Sequence, residues 1–311
     1  MRRVLKQINA RGRRFVLRHP SVNPLFRVIW RGLTVSRPEL RPRMPVLGAF
    51  HLDLPDRGRV HGSTPVEDWI LTWLYWNGFD QGTAMGLRVF RRLARGCRTI
   101  LDIGAHIGVF SMAAALDNPT AVIHAFEPLP VSFRLLSSMI RRSRVANVHA
   151  HELALSDREG EADLFVRREA QGMSASDASL IAGFREDCDR VPVQLATLDR
   201  FAARQGLRDI DLIKIDVESA EYLVFRGAAD VLRAERPVIL SEVLLGSKEQ
   251  ELHAELSRHG YVYFWLAAEG PVEQAQFRPD PTSTYRDFLV VPAEKRRAVL
   301  ESLAPITQPA A

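Results

Sequence analysis

Cysteine is nearly absent from this chain: its 311 residues include only Cys97 and Cys188. The two lie far apart with no metal-ligand spacing around them. That excludes a disulfide framework and a cysteine-based zinc site, and it fits a reducing compartment. Long apolar runs are also missing. None reaches the roughly 18 residues that a membrane-spanning helix needs, and the best candidate, Trp69–Trp76, reads as one face of a helix. With no apolar signal-peptide core in view, the expected location is the cytoplasm. Acid is scarce at the start, where residues 1–45 carry 12 Lys and Arg against Glu39 alone. The remainder holds 30 basic and 36 acidic residues, so the net charge of +5 belongs to this arm. A basic arm suits nucleic acid, an anionic membrane or an acidic glycan, and an Arg-rich leader also fits an organelle presequence. Apolar residues at Val4, Leu5, Ile8, Phe15, Val16, Leu25, Phe26, Ile29 and Trp30 interleave with the charges. That interleaving favours an interfacial or docked helix, with peripheral contact to an anionic membrane through residues 1–45.

What is present is ordinary globular composition, 46% apolar and 25% charged. The chain divides into a basic arm and Pro-rich linker (1–45), a helical cap (46–97), a main domain (98–293) and a C-terminal tail (294–311). In the cap, Thr64-Pro65-Val66-Glu67 predicts a helix start, with Trp69, Ile70, Trp73 and Leu74 inward and Gly78 as a stop. Its three tryptophans serve either as core or as a substrate-pocket lining. A second helix is expected over Thr83–Ala94. From Thr99 strands and helices alternate, the pattern of a parallel α/β sheet. Strands are expected at Thr99–Gly104, Ala121–Glu127, Val148–Leu155, Asp211–Val217 and Val238–Val243. Helices are expected near Val109–Leu116, Val131–Arg142, Ala220–Ala234 and Glu249–His259. Tyr261–Leu266 and Asp287–Val291 have no helix between them and predict an antiparallel closing pair. The irregular span 156–210 reads as an inserted hairpin, a candidate lid or substrate element.

The run TILDIGAHIGVFS, Thr99–Ser111, points to chemistry. A strand ends in Asp102, and a D-x-G-x-x-x-G turn follows through Gly104 and Gly108. A dinucleotide turn needs a glycine where this chain has His106, and a carboxylate there would repel a diphosphate. An acid suits an ammonium instead. Glu127, ending the second strand about 25 residues on, suits both hydroxyls of a ribose. A ligand with an ammonium and an adenosine ribose is S-adenosylmethionine. The expected cofactor set is Asp102, Gly104, Ala105, His106, Gly108, Glu127, Pro128, Ser156 and Asp157, with Asp157 placed for the adenine amino group. In the plain structural alternative Asp102 caps a helix and the glycines only form a turn. Further on, DLIKIDVESAE (Asp211–Glu221) alternates Lys214, Asp216 and Glu218 with apolar residues, which places the three on one strand face. Asp216, Glu218 and Glu242 are the candidate catalytic acids, able to orient a hydroxyl, take its proton or hold a divalent cation. No metal ligands are assigned, and the need for a divalent ion is left open.

Taken in order, ILDIGAHIGVFS, AFEPLP (Ala125–Pro130), ALSDREG (Ala154–Gly160), LATLDRF (Leu195–Phe201) and IKIDVESAEYLVFRGA (Ile213–Ala228) resemble the FkbM-type S-adenosylmethionine-dependent methyltransferases. The resemblance covers roughly Trp69–Pro292. It implies a class I, Rossmann-like methyltransferase fold; with the residue pattern, the expected fold is α/β, with a mostly parallel sheet, an antiparallel C-terminal strand pair and a helical N-terminal extension. It also implies methyl transfer, usually to oxygen, on glycans, glycolipids or secondary metabolites. His106 stands where the family usually has Asn, and Ser219 where it usually has Gly. Serine is tolerated there if the backbone does not need a positive φ. The expected partner is a small-molecule, glycan or lipid-linked acceptor. Nucleic acid is disfavoured because no amino-methylation motif of the N/D-P-P-Y kind is present. An RNA methyltransferase steered by the arm and a non-catalytic scaffold on the same fold are the rival readings.

Overall fold

Polar side chains, not apolar ones, anchor the first helix to the rest of the protein. The computed structural model describes residues 19–167, 178–184, 186–246 and 248–307, so the apolar positions Val4 to Val16 lie outside the described residues. Helix α1 (Asn23–Leu33) leads through a short 3-10 turn, Pro38–Arg43, into an antiparallel hairpin of β1 (Gly48–Asp53) and β2 (Arg59–Thr64). Asn23 and Arg27 are buried; the Asn23 amide donates to the Pro45 carbonyl (3.0 Å) and accepts from Leu47 N (3.0 Å). Two helices follow, α2 (Trp69–Asn77) and α3 (Gln81–Ala94). The 46–97 segment is therefore a hairpin plus two helices and not a purely helical cap. The strands were masked because Gly48, His51, His61 and Gly62 dilute the period-two signal, although inward positions such as Phe50, Leu52 and Val60 do alternate. Thr64 closes β2 and turns its hydroxyl to the Val66 carbonyl; Asp68 caps α2, its Oδ1 accepting from Leu71 N at 2.5 Å. The helix thus starts one turn later than TPVE suggested.

The central sheet has eight strands. Its parallel part comprises β3 (Thr99–Ile103), β4 (Val122–Phe126) and β5 (Val148–His151), with β10 (Ile210–Ile215) and β11 (Val238–Glu242) further along the chain. Helices α4 (Val109–Asp117) and α5 (Pro130–Ser143) connect the first three strands. Beyond β11, α9 (Glu249–Ser257) leads to β12 (Tyr261–Ala267), β13 (Gly270–Gln274) and β14 (Asp287–Pro292). The spatial order is β13-β12-β14-β11-β10-β3-β4-β5, with β14 antiparallel to both β11 and β12. This is the expected mostly parallel sheet with an antiparallel C-terminal pair, extended by the edge strand β13. Apolar residues alternate between its two faces. Leu101, Ile103, Ile213 and Ile239 pack with Phe201, Phe225 and Leu256 on one side. Ile100, Leu212, Leu240 and Leu289 pack with Phe90, Ala114 and Leu303 on the other. Leu303 lies on α10 (Arg296–Thr307), so the tail contributes a core helix.

The insertion builds its own sheet, ordered β6-β9-β7-β8, from β6 (Ala154–Leu155), β7 (Gly160–Arg167), β8 (Ala178–Ser179) and β9 (Cys188–Ala196). The expected strand Val148–Leu155 is therefore split between two sheets. The expected helix 220–234 is also two, α7 (Glu221–Arg226) and α8 (Ala229–Ala234), after α6 (Leu198–Gln205). They part at Gly227, where a Cβ would stand 2.0 Å from the Ser156 carbonyl oxygen. No helix among the described residues is long and apolar enough to cross a membrane.

Candidate active site

Strand periodicity gathers the charges of this molecule at one end of one sheet face. Asp102 pairs in register with Lys214 on the neighbouring strand, and Glu242 with Asp287. Each sits two residues beyond an apolar position on the face covered by α3 and α4, so all four, with Asp216, share that face.

The first loop is tied to the end of β4. Gly104 N and Ala105 N both donate to the Phe126 carbonyl, at 3.0 and 2.9 Å, and His106 N donates to Glu127 Oε2 at 2.8 Å. Glu127 Oε1 accepts from Leu129 N across Pro128 at 2.9 Å. Burial pushes the Glu127 carboxyl up to about 7, against the opposing pull of His106 and of these two N–H groups. Gly104 is required at φ +77°, where a Cβ would lie 1.8 Å from the Asp216 carbonyl oxygen. Its missing side chain lets the backbone just beyond β10 approach closely. Gly108, at φ +82°, lets α4 approach Leu136 of α5, the close packing expected of it. Asp102 is sealed at 1% exposure, and its Oδ2 accepts from Ser111 N (3.0 Å) and Ser111 Oγ (2.5 Å). It braces the first turn of α4, as in the cap alternative.

His106 has a partner that sequence reading missed. Its Nε2 lies 2.9 Å from Oδ2 of Asp68, the fully buried N-cap of α2. Burial pulls the imidazole pKa down, but Asp68 outweighs that and holds it above its ordinary value. Only the Asp directly before an apolar run signalled this residue, because its partner is distant in sequence.

The acid rim is organised by two cations. Buried Lys214 donates to Asp216 Oδ2 at 2.7 Å and lies 5.1 Å from the Phe110 ring centre. Burial opposes ionisation of Asp216, yet Lys214 and a hydrogen bond from Glu242 hold it below its usual range. Glu242, 3.0 Å from Arg286, is pushed well above the carboxylate range by burial and by the Asp216 charge. The two carboxyls are thus driven in opposite directions, Asp216 towards the charged form and Glu242 away from it. Burial also lifts Asp287 to about 6. Asp287 rests on α3 where Gly86 lacks a side chain. Arg286 and Asp287 were missed because their place beside β11 depends on a distant antiparallel return.

The structure brings Asp216, Glu218 and Glu242 together, with one carboxylate oxygen from each lying within 4.8 Å of the others. That spacing admits a divalent cation. Lys214 and Arg286 already neutralise two of the three, so the donor set fits a cation only weakly. The one-face alternation through Glu218 is not kept, because β10 ends at Ile215 and Glu218 and Ser219 take φ values of +54° and +73°. Ser219 thus occupies the left-handed conformation that glycine adopts freely. The Glu218 carbonyl accepts from the buried Ser179 hydroxyl of β8 at 2.6 Å, so the insertion steadies this turn. Glu221 braces it from the other side, accepting from Val217 N at 3.1 Å. Ser156 is buried and Asp157 lies 3.6 Å from Arg226, facing α7.

The loop, the Glu127 strand end and the acid rim all fall inside the match to a family model, the methyltransferase FkbM domain, over residues 102–263. The 31-O-demethyl-FK506 methyltransferase FkbM of Streptomyces tacrolimicus is 30% identical over 155 residues, covering 42% of this chain and 59% of that protein. Methyltransferase sdnD of Sordaria araneosa is 31% identical over 153 residues, 41% of this chain and 59% of its own length. The chain thus spans about three-fifths of these relatives. The crystal structure of methyltransferase FkbM from Methylobacillus flagellatus KT aligns at a TM-score of 0.42 and 14% identity, over 63% of this chain and 43% of that one. With the family model matching more than half of its length, the chain belongs to the FkbM methyltransferase family, an enzyme class whose methyl donor is S-adenosylmethionine.

Proposed function

We propose that this enzyme methylates a hydroxyl of a glycan, a glycolipid or another lipid-linked acceptor, or a secondary metabolite. One observation carries the reading: Asp216, paired with buried Lys214 at 2.7 Å, gathers with Glu218 and Glu242 just beyond the carboxyl end of β10, where ligands bind in open α/β sheets. The Streptomyces tacrolimicus relative, named for a 31-O-demethyl substrate, supports oxygen as the acceptor atom.

Glu127 accepts one N–H on each oxygen and keeps lone pairs for two ribose hydroxyls. Asp102 being sealed, the partly exposed Asp216 and Glu218 are the acids left to meet an ammonium or an acceptor. The donor supplies an electrophilic methyl carbon on a sulfonium. Asp216 accepts a hydrogen bond from the acceptor hydroxyl and so directs its lone pair. It takes the proton as the oxygen–carbon bond forms and the carbon–sulfur pair passes to sulfur. Lys214 holds the Asp216 carboxylate in position throughout.

Asp216→Asn should lower kcat by roughly 10²–10⁴-fold in a chain that still folds and still binds S-adenosylmethionine by calorimetry, with a lowered melting temperature because buried Lys214 loses its carboxylate partner. Full turnover in that variant removes the assignment.

A further inference from the structure

Helix α1 has its amphipathicity turned inside out. Asn23, Arg27, Trp30 and Thr34 recur at helical spacing on one side, and of these Asn23, Arg27 and Thr34 are buried. Their polar groups serve neighbouring backbone: Arg27 donates to the Leu47 and Ala49 carbonyls, and the Trp30 indole to the Leu40 carbonyl. Leu25 and Val28 lie on the opposite side and Val22 and Leu33 on its flank, all exposed, Leu25 at 65% and Val28 at 70%. A helix lying on a protein core normally presents the reverse pattern. Arg31 reaches across to α2, 5.6 Å from the ring centres of both Tyr75 and Trp76. On α2, Trp69 and Trp73 stack on each other at 5.6 Å and remain exposed. Two neighbouring helices thus leave aliphatic and indole surface uncovered, within a segment whose first 45 residues hold 12 Lys and Arg and one acid. Arg31 on the helix and Arg37 just after it are both exposed.

We propose that α1, together with the Trp69–Trp73 pair of α2, is a docking surface for an anionic lipid bilayer. Aliphatic side chains enter the headgroup boundary, indoles lie at its level, and basic residues draw the helix to anionic headgroups. The charge argues for lipid over a second copy of the chain, because two such arms would repel across an interface.

The test is sedimentation of the full chain with vesicles of phosphatidylcholine alone and of phosphatidylcholine mixed with phosphatidylglycerol. Wild type should partition to the anionic vesicles and release at high salt. Leu25→Glu with Val28→Glu should weaken partition by roughly 10-fold or more, with unchanged thermal unfolding because both positions are exposed. Arg31→Glu with Arg37→Glu should weaken it comparably and reduce the salt dependence. Equal binding to both vesicle types, or none, overturns the proposal. So does full partition by the Leu25/Val28 variant when deletion of residues 1–18 alone abolishes it. A change of oligomeric state in the Leu25/Val28 variant, with lipid partition unaltered, assigns the face to a second copy instead.

Discussion

Breaking the Asp68–His106 pair should loosen the N-terminal layer from the first loop, by an amount that depends on pH. Asp68 is fully buried and His106 is 16% exposed, so removal of the imidazole leaves a carboxylate with no access to water. Stranding one member of a buried pair costs about 3–5 kcal/mol. Here Leu71 N still donates to Asp68 and the α2 N-terminus still favours a negative charge, so His106→Ala should cost about 2–3 kcal/mol. The folded pKa of His106 is raised. Its contribution is therefore complete below the unfolded value of about 6.5 and is lost as pH rises through the folded value. Urea unfolding of wild type, His106→Ala, Asp68→Asn and the double variant gives the coupling, read from fluorescence of the α2 tryptophans. Measured near about pH 6 and again near about pH 9, it should reach roughly 1–3 kcal/mol at the lower pH and shrink at the higher one. Additive single effects, or a penalty that ignores pH, would refute the reasoning.

Ser219→Gly should stabilise the protein by about 0.5–1 kcal/mol, because it removes the left-handed penalty at φ +73° and returns part of the gain as unfolded-chain entropy; a loss of stability would show that the hydroxyl matters more than the backbone. His124 and His151, whose ring nitrogens lie 2.9 Å apart, are both depressed to about 4, chiefly by burial. Their neutral forms support the fold above about pH 6.5, so stability should fall as pH drops from there through the folded value, and Phe at both positions should flatten that limb in thermal melts. Because Lys214 and Arg286 already balance the acid rim, turnover should be indifferent to EDTA and to added magnesium; a metal-restored rate would assign Asp216, Glu218 and Glu242 as ligands.

The parallel sheet and its acid-tipped strands were legible because their signals are local: ILDIG and VIHAFE each join an apolar run to a terminal carboxylate within a few residues. The antiparallel closure was legible from two β-rich runs with no intervening helix. What escaped depends on distant encounters. Asp68 and His106, or Glu242 and Arg286, meet only after the chain has folded, and no spacing announces them. Asp102 looked ligand-facing because it ends a strand, yet α4 closes over it through Ser111. The β1–β2 hairpin was hidden for a different reason. Serines of α5 serve its edge, Ser138 and Ser143 bonding the backbone of Ser63 and His61, so β2 needs neither a further strand nor a strongly β-forming sequence.

The hydrogen bond from Ser179 to the Glu218 carbonyl ties the acidic turn to the inserted sheet. Asp102 and Lys214 are fixed by the central sheet, whereas the turn bearing Glu218 is steadied by a two-residue strand of the insertion. A change anywhere in that insertion that displaces β8 moves the acidic turn without touching a sheet residue. The position of the Glu218 carboxylate is thus set in part by strands that lie outside the central sheet.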